Sequence, residues 1–394
     1  MIIKPRYRGF ICTTVHPEGC RLNVLDQIKY VKEKGRINGP GRVLVIGSST
    51  GYGLASRIAA AYGFGAGTIG VYFEKPQADG KTGSAGWYNN KAFEERAIGD
   101  GLFVAGVNGD AFSNEVKAQT VELIKNRMPG GKADLVIHSL ASPKRKDPET
   151  EQVYNSVIKP IGDSFSGKTV DFHTGAVSVI TVPQANESEI RDTVSVMGGE
   201  DWRLWISALK SAGALADGAV SMAFSYIGPD VTHAIYKDGT IGRGKEDLEV
   251  KSKEIDEILK GIGGKSYIAV NKAVVTQSSS AIPVVPLYIS LLFRVMKEKG
   301  VHENCIEQIY RLFNEKIYGG QGKLTDVNGK FRADDLEMRE DIQAEVAKLW
   351  NEVDSGNIYE LSDISGFRKE FFRLFGFERD DVDYEKDVDL EEIV

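Results

Sequence analysis

The sequence predicts an α/β fold with a doubly wound parallel sheet, an N-terminal hairpin and additional C-terminal helices. Two observations favour this fold class. Up to residue 141, short aliphatic and β-branched runs alternate with helical patterns, in the order expected of strand–helix–strand units. The first of these runs, 42–46, stops at a glycine and is followed by a small-residue helical pattern. In parallel sheets such a junction is where a ligand meets the ends of the strands.

The bulk composition excludes several classes of protein. The 394 residues are 42% hydrophobic and 27% charged, which is ordinary for a globular enzyme. A net charge of −7 argues against a nucleic-acid partner. Three cysteines are too few for a disulfide framework and suit a reducing cytoplasm. The longest apolar run, 282–295, is interrupted by prolines, and no secretory core opens the chain, so we expect a cytoplasmic protein without a membrane segment.

The first residues predict short extended pieces around a turn at 16–19, followed by a helix that begins at Asn23 or Asp26 and runs to about Lys34. This segment contains three possible metal ligands at four-residue spacing, Cys12, His16 and Cys20. Zinc sites usually need four ligands and closer cysteine pairs, so we expect no metal here.

The glycine-rich stretch after the first strand predicts a phosphate site. Its spacing, Gly-x-x-x-Gly-x-Gly, resembles that of the short-chain dehydrogenase/reductase superfamily, which binds nicotinamide dinucleotides on a Rossmann-type sheet. The first glycine lets the chain turn, and the later ones let the backbone approach the ligand at a helix N-terminus. The residues expected to hold the cofactor are Gly47, Ser48, Ser49, Thr50, Gly51, Tyr52 and Gly53.

Acids after the second and third strands predict the adenosine side of the site. The second strand, 68–73, ends at Glu74, where dinucleotide folds place the acid that binds the ribose hydroxyls. A carboxylate there repels a 2′-phosphate and favours NADH; the alternative is a solvated strand-end acid. The third strand, 101–107, precedes Asp110, which resembles an adenine contact and is equally typical of an N-cap for the helix near Ser113.

The fourth strand, 133–141, ends in small residues at the ligand-binding edge of the sheet. We interpret His138 as a satisfied interior residue rather than a catalytic base, since a catalyst would need a second polar partner. The remaining predicted elements are an insertion over 143–200 with a strand pair around 168–182, helices over 201–215, 305–315 and 334–353, a helix after Pro286, strands over 218–226 and 265–270, and an acidic, solvated tail over 379–394.

Three residues at and beyond the end of the predicted strand 218–226 suggest the chemistry. Tyr226 is followed by Tyr236 and then, nine residues on, by Lys245. Reductases of the superfamily pair a tyrosine, which stabilises or protonates a developing oxyanion, with a lysine that holds the nicotinamide ribose. By spacing alone the pair is weak evidence among 15 tyrosines, and an exposed loop tyrosine is the simpler interpretation.

The whole pattern resembles the trans-2-enoyl-CoA reductase/FabV-type enoyl reductase family. The resemblance rests on the glycine turn, the Tyr-x₈-Lys spacing and three further segments, 72–76, 138–143 and 274–283, and it extends over essentially the whole chain. It implies one elaborated reductase domain over 1–394, with a dinucleotide-binding core over about 40–285 and embellishments over 1–39 and 286–394.

The resemblance also implies roles for individual residues. Tyr236 would donate the proton, Lys245 would bind the cofactor beside it, and Tyr226 would contact the substrate. Further cofactor contacts would be Phe73 and Ala111 on the adenosine side, Ser139, Leu140 and Ala141 near the nicotinamide ribose, and Val274, Val275 and Thr276 at the carboxamide.

The implied reaction is reduction of a trans-2-enoyl-CoA such as crotonyl-CoA by NADH, in a protein we expect to be a monomer. The apolar helix after Pro286 would then be either a core helix or the wall of an acyl-chain pocket. The alternatives are an enoyl-[acyl-carrier-protein] reductase, a cofactor-binding sensor without catalysis, and a carbonyl or hydroxyacyl dehydrogenase. The long Tyr–Lys spacing disfavours the last of these.

Overall fold

The computed structural model describes residues 1–320 and 322–389. In this part of the chain a seven-stranded sheet, parallel throughout, has the order β13-β12-β11-β6-β3-β4-β5, and three antiparallel pairs join β1 with β2, β7 with β8 and β9 with β10. The strands are β1 Tyr7–Arg8, β2 Ile11–Cys12, β3 Arg42–Ile46, β4 Gly67–Tyr72, β5 Val104–Asn108, β6 Ala133–His138, β7 Lys144–Lys146, β8 Val153–Asn155, β9 Phe165–Asp171, β10 Ala176–Val182, β11 Leu215–Ser225, β12 Lys265–Val270 and β13 Phe331–Arg332.

Helices cover both faces of the sheet and extend the chain beyond it. They are α1 Pro17–Lys34, α2 Gly51–Ala59, α3 Ala85–Gly99, α4 Asn114–Arg127, α5 Glu187–Met197, α6 Glu200–Ser211, α7 Asp230–His233, α8 Thr240–Leu259, α9 Gln277–Ser280, α10 Val285–Glu298, α11 Cys305–Arg311, α12 Glu340–Glu352, α13 Ile358–Leu361 and α14 Ile364–Arg373. Of the described helices, none is both long and apolar enough to cross a bilayer.

The apolar run of β3 is continuous because the strand is buried on both faces. Val43 and Val45 pack into a cluster with α1, α2 and α11, while Leu44 and Ile46 pack on the opposite face with α6 and α8. All four side chains are fully buried. A parallel strand covered on both sides has no solvated face, so alternation disappears from its sequence.

The order of the strands reverses between β3 and β6, and this switch point places the site. From β3 the chain builds β4 and β5 on one side, then returns to place β6, β11 and β12 on the other. In open parallel sheets a ligand binds in the crevice outside the carboxyl ends of the strands at such a reversal. The predicted doubly wound sheet is therefore confirmed, as is the hairpin of β1 and β2.

The start of α1 corrects one prediction. Instead of a turn at 16–19, the helix already begins at Pro17, and His16 is its N-cap, with Nδ1 accepting from Gly19 N at 3.3 Å. Proline suits the first helical position, where no amide donor is needed. Gly19 is required because a Cβ there would lie 1.8 Å from the carbonyl oxygen of Gly376.

The second half of the chain contains more helix than the sequence pattern predicts. Helices α5 and α8 were not predicted, and the predicted helix over 334–353 begins only at Glu340, since 334–339 form turns. The insertion does contain the expected strand pair, β9 with β10. Val182, the last residue of β10, packs with Ile235 and Val284, so the insertion lies against the segment that carries Tyr236.

The N-terminal residues contact the segment 379–388. The amino group of Met1 donates to the carbonyl of Val388 at 2.6 Å, and the guanidinium of Arg379 binds the carboxylates of Asp26 and Asp381, both at 2.7 Å. The start of the acidic tail is thus held against α1, whereas the sequence pattern predicts a tail surrounded by solvent. The tail's last residues, 390–394, lie outside the described part of the chain.

Candidate active site

The glycine-rich turn lies at the switch point and opens α2. The backbone amides of Gly47 and Ser48 both donate to the carbonyl of Val71, at 2.9 and 3.0 Å, which ties the turn to β4. Gly47 has φ +84°, and a Cβ there would lie 2.2 Å from the carbonyl oxygen of Ser139. Gly53 approaches Gly47 as closely, since its Cβ would meet that residue's oxygen at 1.8 Å. The turn therefore has room for backbone only, and the first amides of α2 remain for an anion.

Glu74 is built into this turn rather than left in solvent. The hydroxyl of Ser49 donates to its Oε1 at 2.6 Å. The backbone of Glu74 makes two hydrogen bonds to the side chain of Asn108, at the end of β5. The Glu74 amide donates to Asn108 Oδ1 at 2.8 Å, and Asn108 Nδ2 donates to the Glu74 carbonyl at 2.9 Å. Phe73, the neighbouring residue, is 77% exposed. A half-buried carboxylate and a free aromatic face thus lie together at the edge expected to hold an adenosine.

The turn after β5 shows which residue caps α4. Asp110 Oδ1 accepts from Phe112 N at 3.0 Å and stabilises the turn, but the N-cap is Ser113, whose hydroxyl accepts from Val116 N at 3.1 Å. The capping alternative for Asp110 is therefore wrong. The carbonyl of Ala111 is held by Trp205 Nε1 at 3.1 Å.

His138 is an interior residue with a specific partner. It is buried, and its Nε2 lies 3.2 Å from Asp201 Oδ2, while Lys117 Nζ donates to the other oxygen of Asp201 at 2.7 Å. Burial alone would raise the pKa of Asp201, but the His138 hydrogen bond and the Lys117 charge lower it instead. Burial lowers the pKa of Lys117. The Asp201 carboxylate thus gives the buried Nε2 of His138 a polar partner.

Tyr236 and Lys245 lie beside the carboxyl end of β11. Lys245 is on α8, and its Nζ donates to the carbonyl of Phe224 at 3.1 Å. Burial lowers the pKa of Lys245 to about 8 and raises the pKa of Tyr236. The turn that presents Tyr236 packs tightly on α8, since a Cβ on Gly242 would lie 1.7 Å from the oxygen of Lys237. The glycines around the tyrosine are thus close-packing positions, not signs of a loose loop.

Tyr226 lies between Tyr236 and a buried acid. The rings of Tyr226 and Tyr236 meet edge to face, with centroids 5.0 Å apart at 85°. The hydroxyl of Tyr226 donates to Glu337 Oε1 at 3.0 Å. Sequence reasoning missed Glu337, because it falls in a segment taken for helix and no local motif distinguishes it.

The turn after β12 borders the glycine-rich turn. Thr276 caps α9 by accepting from Ser279 N at 3.0 Å, and Ser279 Oγ donates to the carbonyl of Val274 at 2.8 Å. A Cβ on Gly51 would lie 3.6 Å from Thr276 Cγ2, so the two turns are in contact distance. A cleft of about 300 Å³ borders both turns at Thr50, Gly51, Val274 and Val275, but most of its lining comes from α1, the start of α11 and residues 370–379.

The edge of the sheet at the glycine-rich turn suits a nicotinamide dinucleotide. The turn and the amides of α2 fit a pyrophosphate, and Glu74 fits a ribose diol. Among the described residues, no group of three or more histidine, cysteine or acidic side chains is arranged to hold a metal ion.

Three family models match the chain. They describe an NAD(P)H binding domain of trans-2-enoyl-CoA reductase over residues 2–79, the trans-2-enoyl-CoA reductase catalytic region over 81–318, and an enoyl reductase FAD binding domain over 325–388. The last of these segments adds the two-residue β13 to the sheet and buries phenylalanines such as Phe367 and Phe371 in the core around α10.

Curated relatives and solved structures match the full length. A trans-2-enoyl-CoA reductase [NADH] of Ruminiclostridium cellulolyticum is 57% identical and covers 99% of this chain and 98% of its own. An enoyl-[acyl-carrier-protein] reductase [NADH] of Flavobacterium johnsoniae is 56% identical, covering 98% of both. The crystal structure of Clostridium acetobutulicum trans-2-enoyl-CoA reductase with NADH has a TM-score of 0.97 at 46% identity, covering 100% of this chain and 99% of that one.

Proposed function

The chain belongs to the trans-2-enoyl-CoA reductase family, and from that premise we propose that Tyr236, Lys245 and the glycine-rich turn carry out its reaction. The protein is an NADH-dependent oxidoreductase that reduces the C2–C3 double bond of a trans-2-enoyl-CoA such as crotonyl-CoA. One observation carries the assignment of residues. Tyr236 and Lys245 flank the carboxyl end of β11, at the sheet edge where the glycine-rich turn follows β3.

The cofactor site is assigned to the switch point. The turn from Gly47 to Gly53 would receive the pyrophosphate, and Glu74 would accept hydrogen bonds from the adenosine ribose hydroxyls. Phe73, Asp110 and Ala111 would border the adenine. Toward the nicotinamide, the proposed contacts are Ser139, Leu140, Ala141, Lys245, Val274, Val275 and Thr276.

When bound at these residues, NADH would supply a hydride to the β-carbon of the enoyl thioester. Negative charge would then develop on the thioester oxygen, where Tyr236 would supply a proton, and the enol so formed would become the saturated thioester once that proton has moved to the α-carbon. Burial raises the pKa of Tyr236, so its phenol is protonated near neutral pH and can donate to that oxygen. A preorganised donor at a developing oxyanion is worth about 3 kcal/mol of transition-state stabilisation.

Lys245 has the position of a cofactor ligand that also orients the catalytic tyrosine. Its bond to the Phe224 carbonyl fixes the ammonium beside the end of β11. The remaining N–H groups are free to meet the ribose hydroxyls, since an ammonium has three donors. A sensor that only bound the cofactor would not need the buried phenol of Tyr236 as a proton donor.

The acyl chain is assigned to the side of α10. This helix is buried over most of its length, and the half-buried Tyr226 and Tyr236 pack against the cluster that contains it. A helix can be both core and pocket wall when its apolar side chains border the crevice. In this proposal α10 is therefore both a core helix and the wall of the acyl-chain pocket.

The carrier of the acyl group is the main alternative. The relatives include reductases named for coenzyme A and others named for acyl carrier protein, at similar identity. A comparison of kcat/KM for the same crotonyl group on the two carriers separates them. A ratio that favours the carrier protein by about tenfold or more would assign the chain to fatty acid synthesis.

We also propose that the protein acts as a cytoplasmic monomer in which residues 1–394 form one elaborated domain. The three cysteines, Cys12, Cys20 and Cys305, are free thiols. The contacts between Met1 and Val388 and between Arg379 and Asp26 support a single unit. Light scattering of the purified protein tests the oligomeric state.

The primary test is consumption of NADH with crotonyl-CoA, measured beside NADPH. Turnover with NADH that collapses in Tyr236→Phe supports the reaction and the residue together. NADH binding without turnover on any enoyl thioester would overturn the assigned reaction.

A further inference from the structure

A fully buried carboxylate lies behind Tyr226, the residue that packs against the proposed catalytic Tyr236. Glu337 is in the turns before α12 and is 0% exposed. Its Oε1 accepts from the hydroxyls of Tyr226 at 3.0 Å and Tyr288 at 2.6 Å, and its Oε2 accepts from the amide of Ala273 at 2.7 Å. Both oxygens are therefore occupied by donors from other parts of the chain.

The three donors belong to the elements that enclose the site. Tyr226 directly follows β11, Ala273 precedes the turn 274–276, and Tyr288 is on α10. Gln343 extends the network, since its Nε2 donates to the hydroxyl of Tyr288 at 3.1 Å and to the carbonyl of Glu337 at 2.7 Å. One acid thus joins the tyrosine side, the nicotinamide side and the acyl side of the proposed site.

Burial of this acid is costly for the protein. Among the described residues, no cation lies within 4.0 Å of the Glu337 carboxylate oxygens. Burial raises the pKa of Glu337, while the charge of the buried Lys272 acts to lower it. The ammonium of Lys272 donates its hydrogen bond to the carbonyl of Ala273, at 2.7 Å, and not to the carboxylate. A buried carboxylate without a hydrogen-bonded cation is usually less stable than an apolar side chain of similar size, so a role in stability alone explains it poorly.

We propose that Glu337 is a positioning residue of the reductase. By holding the Tyr226 hydroxyl it fixes the Tyr226 ring, whose edge-to-face contact with Tyr236 fixes in turn the direction of the catalytic phenol. Through Ala273 it also fixes the start of the turn 274–276. The inference rests on the proposed function of Tyr236, because it assigns Glu337 to the orientation of that residue. Small losses of orientation lower turnover strongly when a donor must meet a developing charge.

The test is steady-state kinetics with NADH and crotonyl-CoA on Glu337→Gln, Tyr226→Phe and the double variant. Glutamine keeps the size of the side chain and removes the charge. We expect Glu337→Gln to lower kcat by about tenfold or more, with the Kd for NADH, from fluorescence titration, within about threefold of the original. Because Glu337 acts through Tyr226, the double variant should have a kcat close to that of the lower single variant.

The matched control is Asp334→Asn. Asp334 lies in the same turns and is equally buried, but its carboxylate binds Arg332, at 2.6 and 2.7 Å. This variant should keep kcat within about threefold even if its melting temperature falls. An equal loss of kcat in Asp334→Asn, or losses that multiply in the double variant, would overturn the proposal.

Further outcomes distinguish failure of the positioning role of Glu337 from failure of the proposed reductase function. Normal kcat in Glu337→Gln rejects the positioning role while the reductase assignment stands. If Glu337→Gln does not fold, Tyr226→Phe decides, since it breaks the same hydrogen bond, and unchanged kcat there rejects the role. An unsubstituted protein that binds NADH but turns over no enoyl thioester rejects the proposed function itself.

Discussion

The hydroxyl of Ser49 donates a 2.6 Å hydrogen bond to Oε1 of Glu74, joining the glycine-rich turn to the end of β4. Gly86 faces the same carboxylate so closely that a Cβ would lie 2.1 Å from Oε1. The acid is therefore held at the cofactor edge by two neighbouring elements. In the proposed site, this charge would face the 2′-phosphate of NADPH.

The first prediction concerns cofactor selectivity. Glu74→Gln removes the negative charge and keeps the side-chain size, so the ratio of kcat/KM for NADPH over NADH should rise by about tenfold or more, equal to about 1.4 kcal/mol. Ser49→Ala, which keeps the charge, should shift the ratio much less. An unchanged ratio in Glu74→Gln would remove this residue from cofactor selection.

The second prediction concerns the proton donor. Tyr236→Phe keeps the ring and its contact with Tyr226 but removes the phenol, so kcat should fall by about 100-fold or more, in line with the loss of one oxyanion donor. NADH binding should persist, because the glycine-rich turn is untouched. Stopped-flow measurement of the hydride step checks this, and a rate near the original would contradict the assignment.

The third prediction concerns pH. Burial lowers the pKa of Lys245 to about 8, so the ammonium is present below that value and is lost as pH rises above it. If the ammonium binds the ribose, NADH affinity should fall by up to about tenfold per pH unit above the pKa. Titrations from pH 6.5 to about 9.5 should show this slope in the original protein. Lys245→Met should bind more weakly throughout and lose the slope; retention of the slope would assign it to another group.

The fourth prediction concerns the turn after β3. Gly47→Ala forces a Cβ into the left-handed region and against the Ser139 carbonyl, so the free energy of unfolding should fall by about 1–3 kcal/mol and NADH affinity should drop. Gly99→Ala, at the end of α3 with no atom within 4 Å of its Cβ, is the control and should be neutral or slightly stabilising. Chemical denaturation and NADH titration of both variants measure the difference; equal effects would contradict the close-approach argument.

Local patterns were sufficient for some strands of the sheet. The strands over 42–46 and 265–270 are predicted with the bounds that the structure has. Each is encoded by its own residues, because a strand buried on both faces needs a continuous apolar run. The glycine-rich turn was predictable for the same reason, since its backbone conformation constrains its own sequence.

Other features escaped because their causes lie elsewhere in the chain. The start of α1 at Pro17 depends on the close approach of Gly19 to Gly376. Helix α8 was missed because its first turn contains Gly242 and Gly244, which weaken the helical pattern but are needed for packing against Lys237 and Met197. In both cases tertiary contacts outweigh the local preference.

The sequence by itself determined the class of fold, the place of the cofactor turn and, through family resemblance, the enoyl reductase assignment. Only the tertiary structure decided that His138 is paired with Asp201 and that Tyr226 is bound to Glu337. The physical reason is range. A strand, a turn and a cap are specified by adjacent residues, whereas the pair Tyr226–Glu337 joins side chains 111 positions apart, which no local pattern can encode.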